Sequence, residues 1–145
     1  MFTLKIVTPE KVVLEEAVLW VTLPIEGGEV TVLPNHIPYI GAVKPGEIVI
    51  GHEGEEERSL ATSGGFVEFH GGVLTMLADT AEHAESIHLE RAQAARDRAE
   101  MLKSQVNTED AEAVARTARL LEKEMARIKV ATKHRTRNLP NISSR

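Results

Sequence analysis

Six histidines, at 36, 52, 70, 83, 88 and 134, are the side chains best suited to acid–base or metal chemistry, and their spacing supports neither. A metal site needs ligands that converge, yet only His83 and His88 are close in sequence, and the HLERA segment at 88–92 lacks the second His of a zinc-binding helix. The chain has no cysteine, which removes thiolate nucleophiles, thiolate zinc sites and disulfides together. Walker loops, GxGxxG, GxSxG and HExxH are all absent. Glu55, Glu56 and Glu57 lack the spaced oxygens of a calcium loop and read as a solvated hairpin tip. Trp20 and Tyr39 read as core or interface residues. The residues therefore disfavour an enzyme, and neither a metal nor an obligatory cofactor is expected.

One charge pattern stands above background. Arg116, Arg119, Lys123, Arg127, Lys129, Lys133, Arg135 and Arg137 are opposed only by Glu122 and Glu124. Such a run reads either as a solvated helix face or as an electrostatic contact with an acidic protein surface, which steers docking and responds to salt.

The elements that carry this pattern divide the chain near Ser86. Before it, four Lys/Arg face fourteen Asp/Glu, a net of −10; beyond it thirteen face eight, a net of +5. Up to Glu85, short alternating apolar runs are punctuated by Gly and Pro, as in strands joined by tight turns. Beyond Ser86 there is no Gly and the sole Pro is Pro140, and the composition is that of long helices.

The spacing predicts strands at 2–8, at Tyr39–Val43, Glu47–Gly51, Arg58–Ser63, Phe66–His70 and Val73–Asp79, and a long interior run at Val12–Leu23 with apolar residues on both faces. The expected fold is an all-β sandwich over residues 1–84 followed by an antiparallel two-helix hairpin within 86–137, with a flexible tail at 138–145. The helices are expected at about 88–104 and 108–134, the second capped by Asn107. Ala92, Ala95, Ala99 and Leu102 mark the apolar face of the first; Val114, Ala118, Leu121, Met125, Ile128 and Thr132 mark that of the second. An Ala methyl contributes under ~1 kcal/mol on burial, against ~1.5–3 for Leu or Ile, so the hairpin is the part expected to detach.

No apolar run reaches the ~20 residues of a membrane-spanning helix, and Met1–Glu10 lacks the regions of a signal peptide, so a cytoplasmic protein meeting a membrane only through partners is expected. The overall charge of −5 argues against nucleic acid as a partner.

The segments GGEVTVLPNHIPYIGAVKPGEIVI at 27–50, SGGFVEF at 63–69, VLTMLADTAEHAESI at 73–87 and the RA at 91–92 together resemble the epsilon subunit of bacterial F-type ATP synthase. The resemblance implies a noncatalytic rotor component at the cytoplasmic face of the membrane. Its sandwich binds the gamma subunit and sits on the c-subunit ring, passing proton-driven rotation to the catalytic head. Gly27, Gly28 and His36 are assigned to the contact with gamma or the ring. The resemblance further implies that the hairpin can extend, so that Arg116, Arg119, Lys123 and Arg127 meet an acidic segment of a beta subunit and block ATP hydrolysis. Some members of the family bind ATP as a regulatory ligand at the folded helices; by position, Glu82, Arg91, Arg98, Lys123 and Arg127 would serve here. The family's Asp is replaced by His88, which implies loss of a carboxylate acceptor and a helix N-cap, and hence weak binding. The alternatives are a free-standing ATP-binding sensor using the hairpin as its pocket and, last, a carbohydrate- or protein-binding sandwich without the aromatic groove such a role needs.

Overall fold

Alternation decides the first strand: Phe2, Leu4 and Ile6 are buried while their neighbours are half-exposed, so one face of β1 (Phe2–Val7) enters a core. The computed structural model describes residues 1–139. After β1 come β2 (Val12–Val18), β3 (Trp20–Ile25), β4 (Gly28–Val32), β5 (Tyr39–Val43), β6 (Gly46–Gly51), β7 (Arg58–Thr62), β8 (Gly65–His70), β9 (Val73–Ala78) and β10 (Ala81–His83). A single 3-10 turn at Ala84–Ser86 leads to α1 (Leu89–Gln105) and α2 (Ala111–Arg137). The strands form two five-stranded sheets, ordered β2-β1-β9-β8-β5 and β10-β7-β6-β3-β4. The described residues thus form the β-sandwich followed by a helical hairpin that the sequence reading expects.

The sheets bury a continuous aliphatic core that includes Leu4, Ile6, Val21, Leu23, Ile48, Ile50, Leu60, Leu74 and Met76. All but one of the strand pairings are antiparallel; β1 and β9 run parallel, with Leu4 beside Leu74 and Ile6 beside Met76.

The long run at Val12–Leu23 is two strands and not one. β2 is an edge of the first sheet and β3 lies inside the second, with the crossing at Leu19, whose N–H donates to the Gly51 carbonyl at 2.8 Å. Passing from one sheet to its partner reverses which side chains point inward. Val18 is therefore buried on one side of the crossing, and Val21 and Leu23 on the other, a change of phase that mimics a strand apolar on both faces. β10 has no counterpart in the predicted strands, because three residues carry too little pattern.

The helices begin and end differently from expectation. Asp110, not Asn107, caps α2: its carboxylate accepts from the Ala113 N–H at 3.1 Å, while Asn107 Oδ1 accepts from the Glu109 N–H within the connecting turn. On α1, Ala92 and Ala99 are buried, but Leu102 stands in solvent. On α2 the buried residues are Thr117, Glu124, Ala126, Val130 and Ala131. Ala118, Leu121 and Ile128 are half-buried, whereas Val114, Met125 and Thr132 are exposed. The apolar rhythm misses because α2 serves two neighbours at once, α1 and the second sheet. Its sheet-facing side sets Val130 and Ala131 over Ala61 and flanks them with the cations Arg127 and Lys133. Asn138 is the C-cap of α2, its N–H donating to the His134 carbonyl at 3.2 Å; the rest of the tail, from residue 140, lies outside the described residues.

The Gly64-Gly65 step between β7 and β8 is a steric requirement. A Cβ on Gly65 would lie 2.0 Å from the Leu77 carbonyl oxygen, in a backbone conformation of φ +155°. Gly65→Ala is expected to destabilise the sandwich by roughly 2 kcal/mol or more, measured by chemical denaturation.

Candidate functional site

The outer face of the second sheet carries two carboxylates in register. Glu47 on β6 pairs across the ladder with Ala61 on β7, and Ala61 pairs with Glu82 on β10, so Glu47, Ala61 and Glu82 form one row perpendicular to the strands. With strands ~4.8 Å apart, the ends of the row are about 9.6 Å apart. α2 lies over this row. Arg127 and Lys133 are six residues apart on it, a rise of about 9 Å. The helix thus presents two cations at the spacing of the two carboxylates.

Both pairs form. Arg127 Nε donates to Glu82 Oε2 at 3.1 Å, and Lys133 Nζ donates to Glu47 Oε1 at 2.8 Å. Between them on the helix, Val130 joins a small apolar cluster with Ala61, Ala84, Ile87, Ala92 and Ala131. Glu47 also accepts from the Ser59 hydroxyl at 2.7 Å and has Lys129 Nζ at 3.9 Å. Arg127 has a second carboxylate on its own helix, Nη1 donating to Glu124 Oε2 at 2.8 Å. Farther along, Arg137 donates to the Glu57 carbonyl.

The titrations follow from these contacts. Burial works to raise the Glu47 carboxyl; the hydrogen bonds from Lys133 and Ser59, with the charges of Lys133 and Lys129, outweigh it and hold the group below its ordinary value. Burial likewise works to lower Arg127, and its bonds and charges with Glu124 and Glu82 outweigh that and raise it. Both groups are charged when the hairpin is docked.

Of the residues assigned to nucleotide, Glu82 and Arg127 are brought together, as partners of one another. Arg91 and Arg98 lie exposed on α1 and Lys123 half-exposed on α2, and none of the three joins an ion pair among the described residues. His88 retains the capping role that its substitution seemed to remove: its Nδ1 accepts from the Arg91 N–H at 3.4 Å and closes the first turn of α1. Arg116 reaches only Glu112, at 3.9 Å between two solvated side chains, and Arg119 makes no ion pair among the described residues.

Gly27 lies in the β3–β4 turn and Gly28 opens β4, opposite Ile25. His36 sits in the β4–β5 loop, held by its Nδ1–H to the Ile37 carbonyl at 2.7 Å and by edge-to-face packing on Phe69 and Tyr39. The sequence reading missed an apolar patch on the outer face of the first sheet. Ile40 (75 % exposed), Phe66 (66 %) and Leu77 (59 %) stand on adjacent strands, with Phe66 and Leu77 directly opposed across β8 and β9, around a shallow groove of about 200 Å³. The alternation of β8 and β9 carried the signal, since the residues between these, Val67 and Met76, belong to the core. A second polar cluster ties the β2 edge to the β6–β7 connection, where Glu16 accepts from Arg58 and lies 2.8 Å from His52 Nε2.

Comparisons with known proteins bear on the family and the fold. The family model described as ATP synthase, Delta/Epsilon chain, beta-sandwich domain matches residues 1–84. An ATP synthase epsilon chain of Desulfitobacterium hafniense is 44% identical over 90% of this chain and 96% of its own length. One from Desulforamulus reducens is 41% identical over 88% of this chain and 95% of its own. Among solved structures, a chain of the Euglena gracilis mitochondrial ATP synthase assembly shares the fold with a TM-score of 0.73, at 23% identity, covering 89% of this chain and 79% of that one.

Glu47 is the titratable anchor of the docked hairpin. Its depressed value means that its contribution is complete above the ordinary value of 4.5 and is lost as pH falls through the docked-state value. Acidification below about pH 4.5 is therefore expected to loosen α2 before the sandwich unfolds. Glu47→Gln should loosen it at neutral pH by about 1 kcal/mol, since its lysine partners are partly solvated. Hydrogen exchange of α2 amides measures both effects.

Proposed function

The chain belongs to the ATP synthase delta/epsilon family, and on that premise we propose that it is the noncatalytic central-stalk subunit that couples proton-driven rotation to ATP synthesis and restrains ATP hydrolysis through its C-terminal helices. The observation that supports the regulatory half is the character of the hairpin's attachment. It rests on ion pairs and a small cluster whose buried members are one Ile, one Val and four Ala, with Leu89 and Ile128 at its edge, while the sandwich has its own larger aliphatic core. Charged attachments can be exchanged for those of another acidic surface at little net cost; a large apolar interface cannot.

The sandwich is the part that stays on the rotor. Its exposed apolar patch of Ile40, Phe66 and Leu77 is the proposed contact with gamma, and Gly27, Gly28 and His36 are proposed as further contacts with gamma or the c-subunit ring. No described helix is long and apolar enough to cross a membrane. Its proposed place is peripheral, at the cytoplasmic face, held there by those partners. In the extended hairpin, Arg116, Arg119 and Lys123 face the acidic segment of a beta subunit; Arg127, expected with them from the sequence, is paired with Glu82 and Glu124 in the docked state and stands apart from them. ATP is a weak regulatory ligand of the docked hairpin through Glu82, Arg91, Arg98, Lys123 and Arg127, because Arg127 already satisfies two carboxylates and a phosphate must displace one of them.

A chain ending at Ser86 is expected to fold, to co-purify with gamma unless Phe66→Glu is introduced, and to raise ATP hydrolysis by the assembled enzyme. Neutralising Arg116, Arg119 and Lys123 together should reproduce the rise. Hydrolysis unchanged by truncation under every nucleotide condition would remove the inhibitory role. Calorimetry of the full chain with ATP should give a Kd nearer millimolar than micromolar, and tight binding would contradict the preoccupied Arg127.

A further inference from the structure

The cations of α2 fall into two groups by what they touch. Arg127, Lys129, Lys133 and Arg137 all reach acceptors on the sandwich. Arg116, Arg119 and Lys123, one to three turns earlier, reach none there among the described residues. Arg127 differs from all of these. Its side chain is 20 % exposed and lies between two carboxylates, one on β10 and one on its own helix.

We infer that Arg127 is the catch of an intramolecular latch, with Glu82 as its keeper and Glu124 as a counter-ion that travels with it, so that Arg127 holds the hairpin closed and does not serve an acidic partner. This rests on the proposed exchange between docked and extended hairpins. Glu124 and Arg127 are three residues apart on one helix, so their contact survives when α2 leaves the sandwich. The pair then carries no net charge, and little attraction for an acidic surface is left at that position. Glu82 is different: undocking strips it of Arg127, and this is the free energy that the latch contributes. Arg116 has only a long contact between exposed side chains, which is worth little, and Arg119 and Lys123 have none, so these three keep their full charge in either state.

The consequence is an opposition of sign along one helix. Removing charge at Arg116 or Arg119 weakens the extended, inhibitory contact. Removing it at Arg127 weakens the closed state and so favours extension. A substitution series that lowers inhibition at one end of α2 should raise it at the other.

The absence of cysteine permits a direct test on the full chain. Ala61 lies under α2 in the small apolar cluster and is 2 % exposed, so Ala61→Cys reports hairpin opening through its rate of thiol labelling. In that background Arg127→Gln is expected to speed labelling about tenfold at low salt, and Glu82→Gln to do nearly the same. The two together should speed it little more than either alone, because they remove one interaction. Arg119→Gln should leave the rate within twofold. Added salt should speed labelling of the parent and affect the Arg127→Gln chain less, its remaining salt response coming from Lys133 and Lys129 on Glu47. A labelling rate unmoved by Arg127→Gln, or Glu82 and Arg127 effects that simply add, would overturn the latch. The isolated chain contains no beta subunit, so failure here leaves the inhibitory reading standing. Faster labelling by Arg127→Gln with no increase in inhibition of the assembled enzyme, where Arg119→Gln lowers that inhibition, would overturn the claim that Arg127 does not serve the acidic partner.

Discussion

Everything the hairpin does is set by a match of two lengths, the spacing of carboxylates across three strands and the rise of a helix over six residues. The row from Glu47 through Ala61 to Glu82 is fixed by the ladder of the second sheet. The interval from Arg127 to Lys133 is fixed by helical geometry. Each length comes from backbone hydrogen bonding; around the helix Arg127 and Lys133 project about 120° apart, on either flank of Val130, and their long side chains curl inward to reach the row. The short β10 strand matters for this reason. Without it Glu82 would lie on a loop, and the row would have one end.

The two apolar clusters contribute unequally. Leu4, Ile6, Leu23, Ile48, Ile50, Leu60, Leu74 and Met76 are fully or almost fully buried between the sheets, each contributing roughly 1.5–3 kcal/mol. Beneath α2 the burial is mainly of methyl groups, so charge pairing decides whether the helix stays. That division gives one chain a part that resists solvent conditions and a part that answers them.

Much of the fold was legible because alternation and glycine placement are local signals. Phe2, Leu4 and Ile6 declared β1, and the Gly-rich steps separated β7, β8 and β9. The crossing at Leu19 was not legible, since one unbroken apolar run conceals a switch between sheets. The α2 face was misread for a related reason. Periodicity finds one apolar stripe, whereas α2 contacts both α1 and the second sheet, meeting the sheet with Val130, Ala131 and the ion pairs of Arg127 and Lys133. The sign reversal at Ser86 did identify the charges that matter, and it pointed to an acidic partner. The acidic surface those charges meet in this structure includes the chain's own Glu47 and Glu82, a pairing across 86 and 45 residues that no local pattern carries.

The parallel pairing of β1 with β9 bears on how the chain comes to be built. β1 fills the second position of the first sheet, and its inner neighbour is not made until Val73–Ala78 has left the ribosome. The sandwich closes late in its own synthesis, by a long-range pairing that slows folding. The helices are synthesised after it. α2 contributes no residue to the core between the sheets, so its docking can form and break without reopening that core.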